Sequence, residues 1–196
     1  NAANFMHLAH PIDKEEWQAA YVALNAPGVI SGNLMGYQWF DLYPNGIYIS
    51  EAGPKEFETI NKEVNESIKK IIKTIDQYCV SLKLTYEDCI LMGFSQGGMM
   101  TFEVGNFLQK KMAGLGIFSG RIMTNQPIEN ENLLQTPIFL SHGEKDDVIP
   151  IKNYDEAKYF FQQNKCIFES HVLADDGHNI SPETINLFQK FIKKIL

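Results

Sequence analysis

The segment Gly93-Phe94-Ser95-Gln96-Gly97-Gly98 constrains this chain more than any other. It follows the apolar run Cys89-Ile90-Leu91-Met92 and leads into a helix-like stretch over residues 99–111. A strand that enters a helix through Gly-x-Ser-x-Gly must turn within a few residues. So tight a turn holds the serine backbone in a strained conformation. Glycine is expected on both sides, because a Cβ there would collide with the neighbouring strand or helix. The hydroxyl of Ser95 then stands at the carboxyl edge of a sheet, over a helix N-terminus that favours developing negative charge.

The pattern is short, and read alone it also describes a glycine-rich turn whose serine caps a helix. Two later segments argue against that reading. Ser141-His142-Gly143-Glu144-Lys145-Asp146-Asp147-Val148-Ile149-Pro150 comes after the apolar run 137–140. Gly177-His178-Asn179-Ile180-Ser181-Pro182 precedes the last helix. Ser, Asp and His in that order are the chain order of an α/β-hydrolase triad.

The rest of the chain alternates in the same sense. Residues 10–21 read as a short helix and its exit, and residues 20–24 as a strand stopped by Asn25-Ala26-Pro27-Gly28. Residues 31–49 mix glycines, Pro44 and aromatics, and read as a long functional loop. Phe57, Ile60, Val64, Ile68, Ile71, Ile75, Cys79 and Leu82 recur every three or four residues behind Pro54, which predicts one long amphipathic helix. Buried strands are expected over 114–120 and 137–140, with a polar loop over 124–134 between them. A helix over 152–163, a strand over 166–173 and a helix over 182–195, capped by Ser181, complete the pattern. Short apolar strands alternating with helices predict an α/β fold: a mostly parallel central sheet covered on both faces, in a single domain over 1–196.

With 196 residues the chain has enough length for a sizeable core. Its net charge of −7 makes nucleic acid an unexpected partner. No apolar run approaches a membrane span, so stable membrane insertion is not expected. Three widely spaced cysteines, Cys79, Cys89 and Cys166, offer neither a disulfide framework nor a CxxC metal pair. That usage suits a reducing compartment, and cytoplasmic residence is the expectation. The chain opens on Asn1, so an upstream segment, a signal peptide included, is compatible with it.

A serine hydroxyl at neutral pH needs an adjacent base to act as a nucleophile. His178, on a loop before a helix start, is the candidate. The imidazole in turn needs a carboxylate to fix its tautomer. Asp146 and Asp147 both qualify, and adjacent side chains point differently, so one of them faces His178. His142 reads as a hydrogen-bonded structural histidine. Asp175 and Asp176 read as turn residues. The backbone N–H of Gln96 is the first oxyanion donor. A second donor is expected from a loop after an early strand, but His10-Pro11 is unsuited because proline has no N–H.

These motifs, with Asn25-Ala26-Pro27 and Gln38-Trp39-Phe40-Asp41-Leu42, resemble the phospholipase/carboxylesterase family that includes the acyl-protein thioesterases. Residues 177–183 look most like its bacterial carboxylesterase branch. The resemblance implies that His142, Gly143, Asp146 and Pro150 match a His-Gly-x-x-Asp-x-x-x-Pro pattern, which makes Asp146 the triad acid. It places Trp39 at the mouth of the site and Ser119 and Gly120 beside an acyl pocket. Asn1-Ala2-Ala3-Asn4-Phe5 resembles the stretch immediately after the family's Leu-His-Gly-x-Gly loop. The expectation is therefore that the first strand or strands, and the second oxyanion donor, lie outside this chain.

The resemblance implies a serine hydrolase acting on carboxylic esters through an acyl-enzyme. A lysophospholipase or acyl-protein thioesterase shares the machinery, so the substrate is a small-molecule ester, a thioester or a lysophospholipid. The loops over 31–51 and 121–135 are expected to shape the acyl groove. No metal or organic cofactor is implied, and apolar loops near the site are compatible with a homodimer. A hydrolase fold that holds a ligand without catalysis is the alternative from another class.

Overall fold

The computed structural model describes residues 1–30, 36–49, 51–124 and 126–196. The chain divides into two compact units, Asn1–Lys73 and Thr74–Leu196.

The first unit opens with two short helices, α1 (Ala2–Met6) and α2 (Ala9–Ile12), and a single 3-10 turn, Glu15–Trp17. The short helix and exit expected over 10–21 begin with α2, which stops where the backbone turns extended at Asp13 and Lys14. The strand expected over 20–24 is not formed, and the segment is irregular. Val22 is its only β-branched residue, and among the described residues no neighbouring strand bonds it. A two-residue antiparallel pair forms instead, between β1 (Gly28–Val29) and β2 (Tyr37–Gln38). Much of the expected 31–49 loop is irregular, and its residues 31–35 lie outside the described residues.

Helix α3 (Pro54–Leu82) carries the predicted apolar stripe. Ile60, Val64, Ile68 and Ile71 are buried, while Leu82 at the last turn is exposed. The aromatic segment before it is tied to this helix by side chains. Glu63 Oε2 accepts the Asp41 N–H at 2.7 Å, and Ser67 Oγ donates to the Trp39 carbonyl at 2.6 Å. Glu56 caps the first turn by accepting from Gly53 N–H and from Asn45 Nδ2.

The second unit holds a parallel four-stranded sheet in the order β3 (Ile90–Phe94), β4 (Gly114–Phe118), β5 (Ile138–Gly143), β6 (Phe168–Leu173). Strand order follows chain order, so successive crossovers step across the sheet in one direction. The connections carry α4 (Gln96–Phe107), the one-turn α5 (Glu131–Leu134) and α6 (Lys152–Gln163), and α7 (Pro182–Ile195) ends the chain. The predicted polar loop over 124–134 thus contains a short helix, because Asn130 caps one there.

Side-chain alternation along β4 sorts the helices onto two faces. A Cβ on Gly114 or Gly116 would meet Ile195, Phe191 and Phe188 of α7, whereas one on Gly105 of α4 would meet Leu115. Helices α7 and α4 therefore cover opposite faces of the sheet. The glycines leave room for a cluster of Phe118, Phe139, Phe188 and Phe191, with ring centroids 5.0–5.9 Å apart. On the other face Phe102 meets Phe160 and Phe161.

Cys79 and Cys89 are free thiols, yet their sulfurs stand 3.5 Å apart although ten residues separate them in sequence. Burial, together with the Cys79 thiol beside it, pushes Cys89 up to about 12, the direction of an unreactive thiol. Among the described residues no helix is long and apolar enough to cross a membrane.

Candidate active site

Strand β3 ends at Phe94 and α4 begins at Gln96, which leaves Ser95 alone to make the turn. Its backbone sits at φ 56°, ψ −121°, a conformation that L residues rarely adopt. Two hydrogen bonds help to hold it there. Ser95 N–H donates to the Phe118 carbonyl of β4 at 2.8 Å, and Met99 N–H donates to the Ser95 carbonyl at 3.1 Å. The turn closes only because residue 93 has no side chain: a Cβ there would lie 2.1 Å from the Gly97 carbonyl oxygen. The expected collision at Gly97 does not occur, since nothing lies within 4 Å of a Cβ placed on it. The close approach falls instead at Gly98, which packs against the Phe118 carbonyl and Gly120 Cα.

Strand β5 runs three residues past its expected end, through Ser141, His142 and Gly143. Asp146 lies on the next turn, its side chain fully buried. Oδ1 accepts the N–H groups of Val148 and Ile149 at 2.9 and 2.8 Å. Oδ2 faces His178 Nδ1 at 2.7 Å. Burial alone would raise this carboxyl, but the His178 and backbone hydrogen bonds outweigh it and hold the pKa below the ordinary value. Asp147, the neighbouring candidate, is exposed.

His178 lies between β6 and α7. Its Nε2 stands 2.9 Å from Ser95 Oγ. An ionised carboxylate only accepts, so Nδ1 carries the proton and Nε2 is left to accept from the serine hydroxyl. Two loops bring His178 to Asp146. Lys145 N–H donates to the Asp176 carbonyl at 2.9 Å, and a Cβ on Gly143 would strike the carbonyls of Asp176 and Gly177. Asp175 pairs with Lys145, and Asp176 accepts from Thr184 Oγ1.

Two residues of this neighbourhood carry no usable sequence signal or only part of one. The Phe94 ring packs against His178 with centroids 4.6 Å apart. It occupies a variable position of the Gly-x-Ser-x-Gly pattern, so nothing marks it. His142 is buried and donates Nε2–H to the Ile149 carbonyl at 2.7 Å, with the same nitrogen 3.4 Å from Asp146 Oδ2. That agrees with a structural histidine, and it braces the loop that holds the carboxylate.

The other predicted site residues fall in both units. Gln96 opens α4, so its N–H belongs to the first turn beside Ser95. Ser119 is buried with φ 45°, and its N–H donates to the Ser141 carbonyl. Gly120 packs on the backbone of Gly98 and Met99. Trp39 is half-buried in the first unit. Among the described residues no group of three His, Cys, Asp or Glu side chains has an arrangement that would hold a metal ion.

Comparison with known proteins agrees with this architecture. A "Probable carboxylesterase SOBER1-like" protein of Arabidopsis thaliana is 29% identical over 159 residues, which cover 80% of this chain and 58% of the relative. The chain therefore spans little more than half of that protein. "Acyl-protein thioesterase 1" of Saccharomyces cerevisiae is 29% identical over 184 residues, 90% of this chain and 78% of the relative. The crystal structure of Arabidopsis thaliana SOBER1 superposes with a TM-score of 0.81 at 20% identity, covering 99% of this chain and 92% of that one. The Bacillus cereus carboxylesterase does so with a TM-score of 0.79 at 14% identity, covering 100% and 84%. These likenesses show the α/β-hydrolase fold. The phospholipase/carboxylesterase family profile matches residues 4–196, and the chain belongs to that family.

Proposed function

We propose that this chain is a serine hydrolase that cleaves carboxylic esters through an acyl-enzyme, with Ser95, His178 and Asp146 as its triad. The observation that carries the reading is the pair of contacts on one imidazole, Nε2 to Ser95 Oγ at 2.9 Å and Nδ1 to Asp146 Oδ2 at 2.7 Å. Residues 1–196 are read as one domain, since a single family profile runs through both units.

Each group then has one task. Ser95 Oγ bonds to the acyl carbon while its proton passes to His178 Nε2. Asp146 stabilises the imidazolium that results and holds the ring in register. The oxygen of the tetrahedral intermediate gains negative charge against the Gln96 N–H at the head of α4. Collapse breaks the bond to the leaving alcohol, or to a thiol in a thioester, and His178 returns the proton to it. Water then attacks the acyl-enzyme, giving its proton to His178. The carboxylic acid leaves and Ser95 recovers its hydroxyl hydrogen. The family's names cover esterases and thioesterases alike, so short esters, thioesters and lysophospholipids are the substrate classes to compare.

The test is hydrolysis of a p-nitrophenyl ester series from acetate to octanoate, beside an acyl thioester and a lysophospholipid, with Ser95→Ala as control. Turnover that vanishes in Ser95→Ala is the expected result. Turnover that persists in the variant excludes Ser95 as the nucleophile.

A further inference from the structure

The only arginine among the 17 basic residues of the chain is Arg121, directly after Ser119-Gly120 at the carboxyl end of β4. Its position relative to the nucleophile is fixed by the backbone. Phe118, three residues earlier, accepts the Ser95 N–H through its carbonyl. Gly120 packs against Gly98 and Met99 in the first turn of α4. Three residues span at most about 11 Å, so the Arg121 backbone lies on the same edge of the sheet as Ser95, one strand away.

The guanidinium has no counterpart among the described residues. Its Nε is buried without a hydrogen-bond partner. Among the described residues no hydrogen bond or ion pair to Arg121 is formed, although the chain carries 24 carboxylates and the ion pairs seen there use Lys or His. A buried N–H on a cation with nothing to accept it is costly. Elsewhere the chain meets its need for positive charge with lysine. A lone arginine on the sheet edge that carries the nucleophile supplies what lysine cannot, a planar fork that grips a carboxylate or phosphate through two nitrogens at once.

We propose that Arg121 is a specificity-determining residue, and that the preferred ester carries an anionic group, a carboxylate or phosphate, which the guanidinium binds while Ser95 reaches the acyl carbon. This rests on the hydrolase reading above. The anion can belong to the acyl side or to the leaving alcohol, since both extend from the same carbonyl.

Two matched pairs of esters separate these cases. p-Nitrophenyl hemiglutarate against p-nitrophenyl valerate varies charge on the acyl side. p-Acetoxybenzoate against its methyl ester varies charge on the leaving group. The readout is the ratio of kcat/KM, anionic over neutral, within each pair, for the native protein, Arg121→Gln and Arg121→Lys. Loss of a charge-assisted bidentate contact lowers the ratio about tenfold to a hundredfold in Arg121→Gln, with partial recovery in Arg121→Lys. The pair that responds identifies the side bearing the anion. If Arg121→Gln leaves both ratios unmoved, or lowers both members of each pair together, the arginine is structural and the inference is overturned while the hydrolase stands. Ser95-dependent turnover of the ester, thioester or lysophospholipid series above, with none of these four esters cleaved, overturns this inference alone. If folded protein shows no Ser95-dependent turnover of that series or of these four esters, the hydrolase reading falls and takes this inference with it.

Discussion

Asp146 divides its two carboxylate oxygens between structure and His178: Oδ1 accepts the backbone N–H groups of Val148 and Ile149, and Oδ2 alone meets the His178 Nδ1 at 2.7 Å. The loop therefore holds the carboxylate through bonds that do not involve the imidazole. His178, 32 residues later, meets the oxygen that those bonds leave free.

That arrangement makes Asp146→Asn informative. The amide can still accept from Val148 and Ile149 through its oxygen, but then its NH₂ group faces the Nδ1–H of His178, donor against donor. The imidazole is driven to the other tautomer, and Nε2 no longer accepts from Ser95. Ester kcat/KM should fall about 10³–10⁴-fold with the protein still folded by circular dichroism. Asp147→Asn, at the exposed neighbour, should stay within about twofold of the native rate, since a surface change perturbs little.

The two glycines that flank Ser95 in the motif are not equivalent. Gly93→Ala places a methyl 2.1 Å from the Gly97 carbonyl and forces strand and helix apart. It should cost more than about 3 kcal/mol, at the high end for a single substitution. Gly97→Ala meets open space in the first turn of α4, so its stability should be unchanged or raised by about 0.5–1 kcal/mol. Urea denaturation of both variants decides this. Equal losses would show that the turn is sensitive to chain stiffness rather than to the Gly93–Gly97 contact.

Asn130 is a heavily used polar side chain outside the site. Its Nδ2 donates to the carbonyls of Gly105, Asn106 and Leu108, and its Oδ1 caps α5 through Asn132 and Leu133. Asn130→Ala loses the cap and strands buried carbonyls, at about 2–4 kcal/mol. Asn130→Asp keeps the acceptor but sets a carboxylate against three carbonyl oxygens. It should therefore be no better than Ala in thermal melts. A mild Asp variant would mean that the cap, and not the carbonyl contacts, carries the effect.

Glu103, on α4, has its carboxyl pushed up to about 7 by burial. The folded protein then keeps a proton that the unfolded chain releases near the ordinary value of 4.5. Stability from this group is full below that lower value and declines as pH rises to about 7, after which it is flat. Glu103→Gln removes the slope. From pH 5 to pH 8 the variant should gain on the native protein by about 2–3 kcal/mol in urea midpoint-derived stability. Asp146 acts in the opposite sense and at lower pH. Its depressed pKa gives stability that is present above the ordinary carboxylate value and is lost as pH falls through the lowered one. A parallel pair of curves from pH 5 to pH 8 would mean that Glu103 is solvated.

Local signals in the sequence determined much of this protein. The stripe from Ile60 to Ile71 specified a helix because 3.6 residues per turn bring those side chains to one face. The Gly-x-Ser-x-Gly segment specified the turn at Ser95, because only glycine at position 93 lets strand and helix meet. Candidates for nucleophile, base and acid were legible from residue type and order, while residue chemistry alone left Asp146 and Asp147 as equals. Tertiary structure decided what depends on partners distant in the chain. The strand read at residues 20–24 did not form, since a strand exists only where a neighbour bonds its backbone. Phe94 against His178, Cys79 against Cys89 and the five hydrogen bonds of Asn130 had no local signature. The 2.9 Å contact between Ser95 and His178 joins residues 83 positions apart, and only the stacking of β3, β4, β5 and β6 in register closes that distance.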